Sequence, residues 1–145
     1  MKRLYPIILF SFSVGLPDTV LASKKLPVCD NSPNCLSSQA KIADKQHYIA
    51  PLEIKGDPEK AWQEFKQAVA RHGRMVITHQ NNDSVHAIAT SFLLRYIDDI
   101  NGVLDSDAQL IHIRSASRVS HKEFGANRKR LEALRETLQK AGVIE

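Results

Sequence analysis

The sequence predicts a single α+β domain, an antiparallel sheet in the order β-α-β-β-β-β-α with both helices packed on it. Three observations predict it. Two stretches, one mid-chain and one at the end, carry apolar residues at helical spacing. Between them, short segments alternate apolar and polar residues and are joined by turn formers. Of 145 residues, 43% are hydrophobic and 25% charged, a balance that builds one core and leaves no room for a second domain.

The first element is an address rather than structure. Lys2 and Arg3 precede an apolar run from Leu4 to Leu16, and Val20-Leu21-Ala22 offers small residues for cleavage. Residues 1–22 are expected to be a signal peptide. Pro17 and Asp18 cut the run short of the roughly 20 apolar residues of a membrane span, so no stable anchor is expected after cleavage. Leu26-Pro27-Val28 lacks the small residue that lipoprotein processing prefers before a cysteine, which argues against lipidation at Cys29. The mature chain is expected to be exported, periplasmic or secreted.

Residues 23–46 form a leading segment rich in turn formers that contains "CDNSPNC". In an oxidising compartment Cys29 and Cys35 are expected to pair, closing a small loop that contributes about 2 kcal/mol on the chain-entropy model. Five intervening residues do not match redox spacing, and two sulfurs without neighbouring histidines make a poor metal shell.

The α+β domain itself is read over residues 47–145. "HYIAPLEI" (47–54) predicts the first strand, with Pro51 marking an edge or bulge. Asp57 is a good N-cap and Pro58 suits the first helical position. Ala61, Trp62, Phe65, Ala68 and Val69 then recur at helical spacing until Gly73. "RMVITHQ" and "SVHAIAT" flank "NND" and predict a hairpin in which Ile77 faces Ile88 and His79 lies opposite His86. Two imidazoles across a strand pair invite zinc or copper. Nothing nearby completes a shell, so neither a metal nor any other cofactor is expected.

A second hairpin joins "RYIDDINGVL" to "LIHIRSASR". Centring its turn on Ser106-Asp107 pairs Leu104 with Gln109, Ile100 with Ile113, Asp99 with Arg114 and Asp98 with Ser115. Strand alternation puts Ile100, Leu104, Ile111 and Ile113 on the core side together with Asp98, Ser115 and Ser117. It carries Asp99, His112, Arg114 and Arg118 to the other side. The last helix is expected to start with Asn127 as N-cap and to run through Leu131, Leu134 and Leu138 to Gly142. Arg128, Glu132, Glu136 and Lys140 would ladder along its solvent side.

The chemistry concentrates in "RSASR" (114–118) and "NRKR" (127–130). Cations at a helix start oppose the helix dipole, a conflict that a bound anion would remove. The candidate ligand set is Asp98, Asp99, Arg114, Ser115, Ser117, Arg118, Asn127 and Arg128, with a small anionic group as partner. Two other readings stay open. In one, a structural or protein-interaction domain, the same residues form an internal salt-bridge lattice. In the other, an enzyme, Asp98 or His47 moves a proton while the arginines orient an anionic substrate. Loss of Lys2, Arg3 and Asp18 with the leader lowers the formal charge from +4 by one, a surplus too mild to suggest nucleic acid.

"CDNSPNCLSS", "HYIAPL", "YIDDI", "IRSASRV" and "GANRKRLE", in this order and spacing over about residues 28–140, resemble the bacterial and plastid family catalogued as domain of unknown function 1499. The resemblance implies that the cysteine loop, Asp98-Asp99, Arg114 to Arg118 and Asn127-Arg128 belong to one shared pattern, and it carries no activity. The chain departs from that pattern at "SHKEFG" (120–125), where the family usually carries glycine and aspartate.

Overall fold

The computed structural model describes residues 24–119 and 125–145; the expected signal peptide and most of the SHKEFG segment lie outside them. The elements are β1 (Cys35–Ser37), β2 (Leu52–Glu53), α1 (Pro58–Arg71), β3 (Met75–Gln80), β4 (Ser84–Thr90), β5 (Ile97–Asp105), β6 (Leu110–Ser117) and α2 (Ala126–Lys140). The α+β class and the strand and helix order follow the sequence reading, with β1 added ahead of it. The strands form one antiparallel sheet ordered β1-β6-β5-β4-β3, and β2 extends the β1 side by pairing with the start of β6.

The first predicted strand shrinks to Leu52–Glu53. The amides of His47 and Tyr48 instead close a turn on the Asp44 carbonyl, and Pro51 has no amide to give. β1 takes the sheet position beside Arg114 to Ala116.

Helix α1 begins as its sequence demands. The Asp57 carboxylate accepts from the amides of Glu59 and Lys60, with Pro58 in the first turn. Ala61, Trp62, Phe65 and Val69 are buried, and the Trp62 and Phe65 rings stack 5.3 Å apart. From α2, Leu131, Leu134 and Leu138 complete the layer, so both helices cover one face of the sheet, packed against Ile100, Ile111 and Ile113. A Cβ on Gly102 would come within 2.4 Å of the Phe65 ring, so at this point the sheet must carry glycine for the helix to seat. After Gly142, with φ of 72°, Val143 and Ile144 turn back into the core beside Ile54.

Both hairpins form, each with a corrected register. Asp105 accepts from the Ala108 amide and Gln109 takes φ of 56°, which makes the second turn Ser106 to Gln109 rather than one centred on Ser106-Asp107. Asp98 therefore faces Ser117, Asp99 faces Ala116, Ile100 faces Ser115 and Leu104 faces Ile111. The slip is two residues, so every side chain keeps its predicted face. In the first hairpin His79 does lie opposite His86. A bulge at Thr78 shifts the remainder, leaving Ile77 opposite Ala87 instead of Ile88.

The start of α2 differs too. Gly125, at φ of 74°, occupies the cap, and Asn127 is the second helical residue, in the first turn, with its side chain buried. Along the solvent side, Glu136 pairs with Lys140 at 2.8 Å, whereas Glu132 takes Arg135 and Arg128 reaches the Tyr48 carbonyl. The predicted ladder is thus half formed.

Candidate functional site

Strand alternation divides the candidate residues between two faces, and the sheet separates them. Asp98, Ser115 and Ser117 look toward the helices, and Asn127 comes down from α2 to meet them. The Ser115 hydroxyl donates to the Asn127 Oδ1, and the Asn127 Nδ2 donates to the Ser117 Oγ at 3.1 Å and the Asn34 carbonyl at 3.4 Å. Arg130 joins the group. Its guanidinium stands 2.9 Å from the Asp98 carboxylate and donates to the Ser115 Oγ at 3.2 Å and the Asn127 Oδ1 at 3.0 Å. Side-chain exposure is 8% for Asp98 and 13% for Arg130, so this ion pair is desolvated and held by neutral dipoles.

The opposite, outer face carries the other set. Arg118, which sequence counting leaves without a partner, forms a bidentate pair with Asp99, Nε to Oδ2 and Nη2 to Oδ1 at 3.0 Å each. Arg114, expected to be that partner, bonds the side chain of Asn101 instead at 3.2 Å. The two-residue slip explains the exchange, because it moves Arg114 two positions along from Asp99. His86 adds its Nε2 to the Asp99 Oδ1 at 2.8 Å. The Arg118 and His86 bonds hold the Asp99 carboxyl below its ordinary pKa, and Asp99 in turn raises that of Arg118.

Arg114 differs from every other arginine of the cluster. It is half-buried, and among the described residues no carboxylate bonds it and its buried Nε has no hydrogen-bond partner. Burial lowers its pKa, with Asp99 and Asp30 opposing at longer range. Its strand neighbour is Ser37, two residues beyond Cys35, so the disulfide loop borders this part of the outer face. That loop is closed as expected, with the Cys29 and Cys35 Cα atoms 5.6 Å apart.

The other candidates are engaged elsewhere. Both ring nitrogens of His47 meet acceptors, the Asp44 carboxylate at 2.7 Å and the Ser32 carbonyl at 2.8 Å. Only the doubly protonated ring satisfies both. The Asp44 bond raises the His47 pKa and lowers that of Asp44. His112 bonds Ser38 on the outer face, away from Ser115, and burial lowers its pKa. The His79 and His86 rings lie 5.9 Å apart with the Thr78 hydroxyl between them. Among the described residues no group of three histidines, cysteines or carboxylates could hold a metal ion.

Arg130 and Asn34 were missed by sequence reading. For Arg130 the signal exists: Asn127, Arg130, Leu131, Leu134 and Leu138 lie on one helical stripe, which puts both polar residues on the core side. Asn34 contributes its main-chain carbonyl, for which a sequence offers no signal.

A family described as "Protein of unknown function (DUF1499)" matches residues 25–138. No curated protein and no solved structure matches the chain.

Proposed function

The chain belongs to the DUF1499 family, whose description assigns no activity, and we propose from the outer sheet face that the domain binds a small anionic group, carboxylate or phosphate, at Arg114. One observation carries this reading. Among the described residues, the half-buried Arg114 guanidinium is served by a single neutral acceptor, Asn101, with a buried Nε left over. A cation moved out of water needs a charged or well-bonded partner, and its neighbour Arg118 already has one in Asp99. An oxyanion on Arg114 would supply it in the forked geometry that guanidinium favours. The ligand set narrows accordingly to Arg114 and Asn101, with Asp99 and Arg118 as a fixed wall. Asn127 and Arg128, on the helix side, leave it.

The Cys29–Cys35 bridge supports export to an oxidising compartment, periplasmic or secreted. Titrating the protein with phosphate, acetate, citrate and chloride at constant ionic strength tests the binding. Ligand at ten times its Kd stabilises by about 1.4 kcal/mol, on the order of 5 °C in Tm. Arg114→Gln should abolish the rise, and equal shifts for all anions in both proteins would defeat the reading.

A second reading, a structural or protein-interaction domain, has its own observation. The Asp98–Arg130–Ser115–Asn127 lattice joins sheet to helix using most of the residues that looked like a ligand set. Catalysis has less support, since Asp98 is committed to Arg130 and His47 to two acceptors.

A further inference from the structure

At the end of the sheet where β5 starts and β6 finishes, residues 91–96 connect β4 to β5. They are "SFLLRY", and none is the glycine, asparagine or aspartate usual in such a tip. The loop is nonetheless closed. The Ser91 amide donates to the Tyr96 carbonyl at 2.9 Å, the Tyr96 amide to the Ser91 hydroxyl at 2.9 Å, and Arg95 takes the left-handed conformation at φ of 57°. This closure drives three successive apolar side chains outward, and Phe92, Leu93 and Leu94 are 70%, 82% and 66% exposed.

Cations surround the tip. The Arg74 guanidinium sits over the Phe92 ring, 4.3 Å from its centre. Arg74, Lys129 and Arg130 line a groove at the base of the tip with His72, Thr90 and Ser91, and among the described residues none of its lining is acidic. The first turn of α2 also lacks an acidic residue. The cationic start of α2, which opposes its own helix dipole, thus belongs in space with an exposed apolar finger.

We infer that this end of the domain docks on an anionic lipid bilayer, Phe92, Leu93 and Leu94 entering the interface and Arg74, Arg95 and Lys129 engaging lipid phosphates. Phe92, Leu93 and Leu94 are consecutive on one tight turn and lack the i, i+3, i+4 or alternate spacing of a helical or strand stripe. A fluid apolar medium accepts that shape, whereas a protein groove needs aligned anchors. The basic rim complements a negative surface and confines the contact to peripheral depth. Among the described residues no helix is long and apolar enough to cross a membrane.

The test places a reporter in the tip of the full chain. Trp62 is the sole native tryptophan and is fully buried, so in Leu93→Trp the new indole supplies the solvent-sensitive emission. With phosphatidylglycerol vesicles carrying brominated acyl chains, the emission of that introduced indole should shift to shorter wavelength and be quenched. Phosphatidylcholine vesicles should give at least a tenfold weaker response, as should Arg74→Gln/Arg95→Gln/Lys129→Gln in the same background. Solvent-like, unquenched emission on anionic vesicles overturns the inference. So does a blue shift that needs no lipid and rises with protein concentration, which would assign the tip to a second copy of the chain. Because the reporter lies in the tip, lipid binding by residues 1–22 does not register.

Discussion

Arg130 reaches from the second turn of α2 to the inner face of β5, where its guanidinium meets the Asp98 carboxylate at 2.9 Å. The contact fastens helix to sheet, and among the described residues each partner is the other's only charged neighbour in the lattice. Removing one leaves a buried charge uncompensated. Arg130→Ala should therefore cost about 3–5 kcal/mol in urea denaturation. Asp98→Asn/Arg130→Met should be less damaging than the sum of the single changes. Additive losses would mean that the pair carries no coupling.

Gly102→Ala should destabilise the domain by about 1–3 kcal/mol through overpacking, because the added methyl would meet the Phe65 ring at 2.4 Å. Phe65→Leu in the same chain should recover part of the loss. The two unfolding midpoints check this directly.

Stability should depend on pH through His47. Its folded pKa lies above the ordinary 6.5 because Asp44 bonds it, so its contribution is complete below 6.5 and fades as pH rises through the folded value. Asp44 has the opposite sense. Its pKa is held below the ordinary 3.8 by His47, so that contribution fades as pH falls through the folded value. Unfolding measured from pH 5 to 9 should show a decline on the alkaline side that His47→Gln removes. Parallel profiles for the two proteins would contradict the paired geometry.

Reduction of Cys29–Cys35, or replacement of both by serine, should lower stability by about 2 kcal/mol and leave the helical circular dichroism intact. The bridge closes a loop in front of β1 and lies outside the helix–sheet core.

Most of the architecture was legible because its signals are local. Asp57-Pro58 announces α1, the stripe from Leu131 to Leu138 announces α2, and the alternation of Ile111 and Ile113 fixes which side of β6 is buried. The exact hairpin register was not, because a turn from Ser106 to Gln109 depends on a positive φ at a glutamine, which composition does not advertise. The candidate site was misjudged at a different step. Alternation had already sent Arg114 and Arg118 away from Ser115 and Ser117, but the cations nearby in sequence suggested one cluster where the sheet makes two. β1 escaped notice because three residues, Cys35 to Ser37, are too few to show a period.

The central claim, that Arg114 receives an anion on the outer face, is tested most directly by following the arginine Nε–H resonances during phosphate and acetate titration at fixed ionic strength. The Arg114 signal should move and saturate while that of Arg118, already bonded to Asp99, stays in place. An Arg114 resonance that does not respond to any anion, or that moves only in step with every exposed arginine, would contradict it.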